Sequence, residues 1–247
     1  MTYTVLGYCP RTDQVGIGLT TVTIAAGGTC PFYSYGGDII VVQAYGNQAP
    51  AIEGARAADE GLGRDDILAR MASVDSSFHF RQVGVMKRSG EAFAVTGEKA
   101  RPWAGHVVAD GLVAMGNVLA GPEVVQAMAA AFQRDPSLPL PERLLQALEA
   151  GRDAGGQKAG EGLHYDERSA LLRVIGDGPG RRGVTTLDLR VDMHARAVDE
   201  MRRFYEIYQP IIARRELRAK NPADDKATYQ WEAENLKENP PPPALKS

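Results

Sequence analysis

The sequence predicts an α+β fold in which antiparallel sheets carry helices on their outer faces. Two observations lead there. Short segments with period-two apolar patterning arrive in runs, separated by turn residues, and segments with helical spacing arrive in pairs between those runs. Strands joined by short turns pair antiparallel, whereas a parallel pair needs a crossover of a dozen or more residues after each strand.

The elements follow in chain order. Thr2 to Gly7 and Val15 to Val22 are rich in β-branched and apolar residues and flank a turn at Cys9-Pro10-Arg11-Thr12-Asp13, which makes a hairpin. A third strand, Asp38 to Ala44, follows a loop broken by Gly and Pro. The period then changes: Ala51 to Glu60 and Asp65 to Met71 have helical spacing, with Asp65 or Asp66 near the second helix start. Four strands return at Gln82 to Lys87, Ala92 to Thr96, His106 to Ala109 and Leu112 to Gly116, with turns at Ser89-Gly90 and Asp110-Gly111. Helices at Val124 to Phe132 and Pro141 to Leu148 begin at prolines, which a first helical turn tolerates, and the second is expected to end at Gly151. A Gly-rich loop from Gly151 to Gly162 leads to strands Ala170 to Ile175 and Thr185 to Val191, and a long helix starts near Ala197. Residues 1–218 read as one domain. Residues 219–247 turn polar and end in Pro240 to Pro243, a tail expected to be disordered or docked on a neighbour.

Composition narrows the function classes. The 247 residues are 44% apolar and 24% charged with a formal net charge of -3, ordinary values for a globular chain. Nucleic-acid binding is not expected, because the one basic run, Arg214, Arg215, Arg218 and Lys220, reads as a solvated helix end. Cys9 and Cys30 are too few for a disulfide framework, which favours a reducing compartment. Neither a basic leader nor an apolar run of membrane-spanning length stands out, so a cytoplasmic protein away from membranes is expected.

Four stretches, Arg81-Gln82-Val83-Gly84-Val85, Trp103-Ala104-Gly105-His106, Gly116-Asn117-Val118-Leu119-Ala120-Gly121 and Asp188-Leu189-Arg190-Val191-Asp192, resemble in this order an uncharacterised branch of the N-terminal-nucleophile (Ntn) hydrolase superfamily, a domain of unknown function. The resemblance spans roughly Thr2 to Arg203. It implies a four-layer αββα sandwich but no substrate, and the residues at the N-terminus lead to the expected activity, an amidohydrolase needing no cofactor that cleaves a C–N amide or cyclic amide bond of a small molecule. Thr2 would be the nucleophile after removal of Met1, its free α-amine accepting the proton. An α-amine titrates near neutrality, which suits a general base. Many members of this branch carry a basic or polar residue near position 22, where this chain has Val22. A catalytically inactive ligand-binding or scaffold protein on the same fold is the alternative that departure supports.

Candidate site residues follow from chemistry. Asn117, at a strand end between Gly116 and Gly121, is the candidate oxyanion donor, unless it bonds its own turn. Asn47 shares both readings. Arg81 could clamp a carboxylate or close a structural ion pair, His106 could donate to a substrate beside Trp103 or sit satisfied in the core, and Lys158 rides a glycine-rich loop. Asp188, Arg190, Asp192 and His194 recur with period two. A strand would project all four from one face, as a salt-bridge network at a sheet edge rather than a metal site, with Leu189, Val191 and Met193 facing the core. Cys9 is treated as structural. Tyr205, Tyr208, Pro210, Tyr229 and Trp231 could anchor a homo-oligomer.

Overall fold

Strands β1 (Thr2–Cys9) and β2 (Gln14–Thr21) form the expected hairpin, in register from Thr2 opposite Thr21 to Cys9 opposite Gln14. This computed structural model describes residues 1–158, 165–176, 184–224 and 228–236, the side chains of residues 224, 228 and 229 excepted. The chain continues through β3 (Pro31–Tyr33), β4 (Ile39–Gln43), α1 (Gln48–Asp59), α2 (Arg64–Ser73), β5 (Gln82–Met86) and β6 (Ala92–Thr96). Then come β7 (Ala104–Ala109), β8 (Leu112–Asn117), α3 (Pro122–Gln133), α4 (Leu140–Asp153), β9 (Ser169–Ile175), β10 (Thr185–Val191), α5 (Ala197–Lys220) and α6 (Thr228–Asn235). Two sheets result, one of order β10-β9-β2-β1-β8-β7 and one of order β3-β4-β5-β6, and every pairing is antiparallel.

Period-two alternation decides what each face meets. Along β1, Leu6 joins Ile39 and Val41 of β4 and Met86 of β5 in one buried cluster, so Thr2, Thr4 and Leu6 look toward the four-stranded sheet. The opposite parity looks toward α3 and α4: a side chain at Gly7 would meet Phe132 and Leu140, and one at Gly16 would meet Leu144. On β4 and β5 the outward set, Ile40, Val42, Val83 and Val85, packs with Ala51 and Ala55 of α1 and Ile67 and Met71 of α2. Each fully buried aliphatic side chain of these clusters contributes about 1.5–3 kcal/mol.

The elements differ from expectation in four places. A short extra strand, β3, lies in the loop before β4. Gly151 falls inside α4 rather than ending it, because a side chain there would press on Met128 of α3 and Tyr3 of β1; its role is close approach. The polar tail contains α6. The third and fourth members of the period-two polar ladder are absent from the strand: β10 ends at Val191, Met193 is 78% exposed instead of facing the core, and His194 Nδ1 accepts from the backbone N–H of Arg196 in a turn. What remains, Asp188 with Arg190 (3.1 Å) and Arg173 (3.6 Å), is an ion-pair cluster on the edge strand. The loop at 159–164, Tyr229 as a side chain and Pro240 to Pro243 lie outside the described residues.

By internal contacts the chain forms two units, Met1–Met201 and Arg202–Ser247, so the division falls within α5. In the second unit the guanidinium of Arg214 stacks 4.8 Å from the Trp231 ring centroid, and Arg215 donates to the Tyr208 hydroxyl (2.7 Å). Among the described residues no helix is long and apolar enough to cross a membrane, and no cluster of three potential metal ligands occurs.

Candidate active site

Thr2 opens β1 in the interior of the six-stranded sheet, with Thr21 of β2 opposite it on one side and Asn117 of β8 on the other. Paired residues of antiparallel strands project to the same face, so all three side chains turn toward the four-stranded sheet. The Thr2 hydroxyl donates to Thr21 Oγ1 (3.1 Å), and Thr21 Oγ1 donates to the Met1 carbonyl (2.5 Å). Thr2 is 7% exposed with Met1 in place.

Directly beneath it, polar side chains cross the space between the sheets. Thr4 Oγ1 donates to Gln43 Oε1 (2.7 Å), and Gln43 Nε2 donates to Gln82 Oε1 (2.7 Å). Asn117 Nδ2 approaches the same Gln82 oxygen at 3.3 Å. Gln82 Nε2 lies 2.9 Å from Thr96 Oγ1 and 2.9 Å from the Gly116 carbonyl, and Thr96 Oγ1 shares a hydrogen bond of 2.8 Å with His106 Nδ1. Gln82 Nε2 also has the Gly105 carbonyl at 3.0 Å. The chain of bonds runs from the buried Thr4 to the exposed strand β7. Burial, then the charge of Arg64, holds the His106 imidazole below its ordinary pKa.

The strand ends explain why these groups meet. Gln43 ends β4, Gln82 opens β5, Thr96 ends β6 and Asn117 ends β8, all at the end where β1 begins. A uncharged polar residue at an inward, period-two core position was the available signal for Gln43 and Gln82. After Asn117 the chain turns sharply. Val118 adopts φ 55°, a left-handed conformation strained for a β-branched residue. Its N–H donates to the Arg101 carbonyl (3.2 Å) and its carbonyl accepts from Lys158 N (2.9 Å). Gly116 permits the turn, since a side chain there would meet Leu119 Cδ1 at 2.4 Å and the Thr2 carbonyl at 3.0 Å.

Two further groups escaped sequence reading. Gln157, 1% exposed, accepts the Val22 N–H on Oε1 (3.1 Å), while its Nε2 has no partner among the described residues. The amino group of Met1 is lowered from its ordinary pKa by burial first and by the charge of Arg101 second, with Cys30 opposing. The Cys30 thiol is itself pushed up by burial. Arg101 comes from the β6–β7 loop, so nothing about the first hairpin foretold a cation there.

Of the remaining candidates, His106 belongs to the network and Lys158 reaches the turn by its backbone while its side chain is exposed. Asn47 caps α1, its side chain accepting from Ala49 N (3.1 Å). Arg81 is engaged by Asp75 (2.8 Å) and by the Tyr45 carbonyl, and it holds the Asp75 carboxyl below its ordinary pKa. Cys9 sits at the opposite end of β1 from Thr2. Burial raises the Cys9 thiol, but hydrogen bonds from the Thr12 hydroxyl and the Thr12 and Arg11 N–H groups outweigh it and the net direction is down, which sequence reading did not foresee.

Residues 2–201 match a family described as of unknown function, DUF1028. No curated protein matches the chain. Among solved structures, a Silicibacter pomeroyi protein described with the same family is 27% identical, with a TM-score of 0.72 over 84% of this chain and 85% of that one. Anbu (ancestral beta-subunit) from Yersinia bercovieri is 12% identical, with a TM-score of 0.36 over 91% of this chain and 100% of that one.

Proposed function

The chain belongs to the family of unknown function DUF1028, and we propose that it is an amide hydrolase of the N-terminal-nucleophile type, built as a four-layer αββα sandwich and acting on a small-molecule amide. The supporting observation is the placement of Thr2 at the first position of a central strand, its hydroxyl held 3.1 Å from Thr21 Oγ1. Removal of Met1 exposes the Thr2 amine. Thr2 Oγ1 then attacks the substrate carbonyl carbon while its proton moves to that amine, and the C–N bond breaks as the proton passes on to the leaving nitrogen. Water completes the cycle by hydrolysing the Thr2 ester. On this reading Arg101, whose charge, after burial, lowers the pKa of the Met1 amine, acts in the same direction on the Thr2 amine and takes the role of the basic residue that Val22 lacks. Asn117 Nδ2, whose contact to Gln82 is long at 3.3 Å, is the side-chain donor for the oxyanion.

A second reading, a non-catalytic scaffold, is favoured by one contact: the Met1 carbonyl accepts from Thr21 Oγ1 at 2.5 Å, which ties Met1 into the fold. A mass spectrum of purified protein, paired with a screen of small amides, separates the two. The hydrolase reading expects loss of Met1, and a Thr2→Ala variant that melts like wild type yet loses turnover by about a hundredfold or more. Full activity in protein retaining Met1, or in Thr2→Ala, rules the mechanism out.

A further inference from the structure

At the other end of β1 a cleft of about 680 Å³ opens where the first hairpin turn, the β5–β6 and β7–β8 turns and the α3–α4 loop converge. Its wall contains a buried cation that makes no ion pair among the described residues. Arg143, on the first turn of α4, is only 7% exposed, yet among the described residues no carboxylate pairs with it. Its Nε donates to the Phe132 carbonyl (3.0 Å) and its plane stacks 4.0 Å from the Phe132 ring, which fixes the guanidinium. Neither terminal nitrogen has a protein partner among the described residues. A second guanidinium lines the same cleft: Arg11 Nη2 donates to the Ser137 (2.8 Å) and Leu138 (3.3 Å) carbonyls, an anchor that leaves Nε and Nη1 without a partner among the described residues.

Isolating a charge from water is unfavourable unless something pairs with it. Here the neighbouring carboxylates, Asp110 on the cleft wall included, make no ion pair with Arg143 among the described residues. Asp135 points to Ser137 instead, accepting from its N–H (2.9 Å) and hydroxyl (2.6 Å). Glu91, on the cleft wall, pairs with Lys87 (3.0 Å). We propose that this cleft is a binding site for a small oxyanion, a carboxylate or phosphate group, held by the terminal nitrogens of Arg143 and reinforced by Arg11. The planar fork of a guanidinium matches both groups through paired N–H donors, and the ring beneath Arg143 already supplies the orientation. Burial lowers the Arg143 pKa and the charge of Arg11 lowers it further, outweighing the opposing effect of Cys9 and Asp135, consistent with a site that gains from a bound negative charge. The site is separate from the Thr2 end and does not depend on the hydrolase reading.

Calorimetric titration tests it directly, with inorganic phosphate and succinate as separate probes and sodium chloride matched for ionic strength. Saturable binding of at least one oxyanion is expected, weakened about tenfold or more in Arg143→Met and by a smaller factor in Arg11→Ala, with Thr2→Ala binding as wild type does. Which of the two probes binds more tightly identifies the group the cleft takes. Should Arg143→Met fail to fold, the exposed Arg11→Ala variant alone decides. No saturable binding of either oxyanion, or undiminished binding in Arg11→Ala and in any folded Arg143→Met, overturns the proposal.

Discussion

Gln82 has no exposure to solvent and holds Gln43, Asn117 and Thr96 together, so the space between the sheets at the Thr2 end is organised by one side-chain amide. Replacing it by leucine keeps the volume but strands several buried partners. Gln82→Leu is expected to lose about 3 kcal/mol of stability, read as a lower urea midpoint at unchanged slope. His106, at the far end of the same network, yields a pH prediction. Its folded-state pKa is depressed, so the unfolded chain binds its proton more readily. Its contribution is therefore present above the unfolded value of about 6.5 and is lost as pH falls from there toward the folded value. His106→Gln should melt with a smaller drop between about pH 7.5 and pH 5.5 than wild type. Equal drops in the two proteins would exclude the imidazole as the cause.

The turn after β8 joins three parts of the site, because Gly116, Asn117 and Val118 follow one another while contacting β1, β5 and the Arg101 loop. The close approach at Gly116 is intolerant of even one methyl group: Leu119 can shift, but the Thr2 carbonyl at 3.0 Å is backbone. Gly116→Ala is expected to cost about 1–3 kcal/mol by overpacking. The displaced neighbour is Thr2 itself, so any amidase activity should fall further than stability alone explains. Comparing turnover at a temperature where both proteins are folded would reveal that excess.

The unit ending at Met201 carries both the Thr2 site and the Arg143 cleft, while the 26.6 kDa chain continues for a second unit built on α5 and α6. Ending the chain after Lys220 removes α6 and takes Trp231 from Arg214. The truncated protein is expected to keep its turnover and its oxyanion binding. If residues 221–247 hold copies of the chain together, its mass in solution falls to that of one copy, and an unchanged mass assigns any assembly to other surfaces.

Sequence patterning was sufficient for most strands and helices and for the face each strand presents. Alternation and helical spacing are local properties, so a strand from Thr2 to Gly7 puts Thr2, Thr4 and Leu6 on one side. The same locality explains the failures. The ladder from Asp188 to His194 had the right period, yet the strand stops at Val191 because nothing local marked where β9 ceases to pair with it. For Arg81 and Asn47 the sequence leaves a binding and a structural reading open, and Asp75 and the start of α1 supply the structural partners. Arg101, Gln157, Gln43 and Thr21 became part of the Thr2 end only because strand pairing and sheet packing bring distant segments to one place. Strand identity is written in neighbouring residues; the company a side chain keeps is written in contacts across the chain, and a hydrogen-bond partner more than a hundred residues away leaves no local trace.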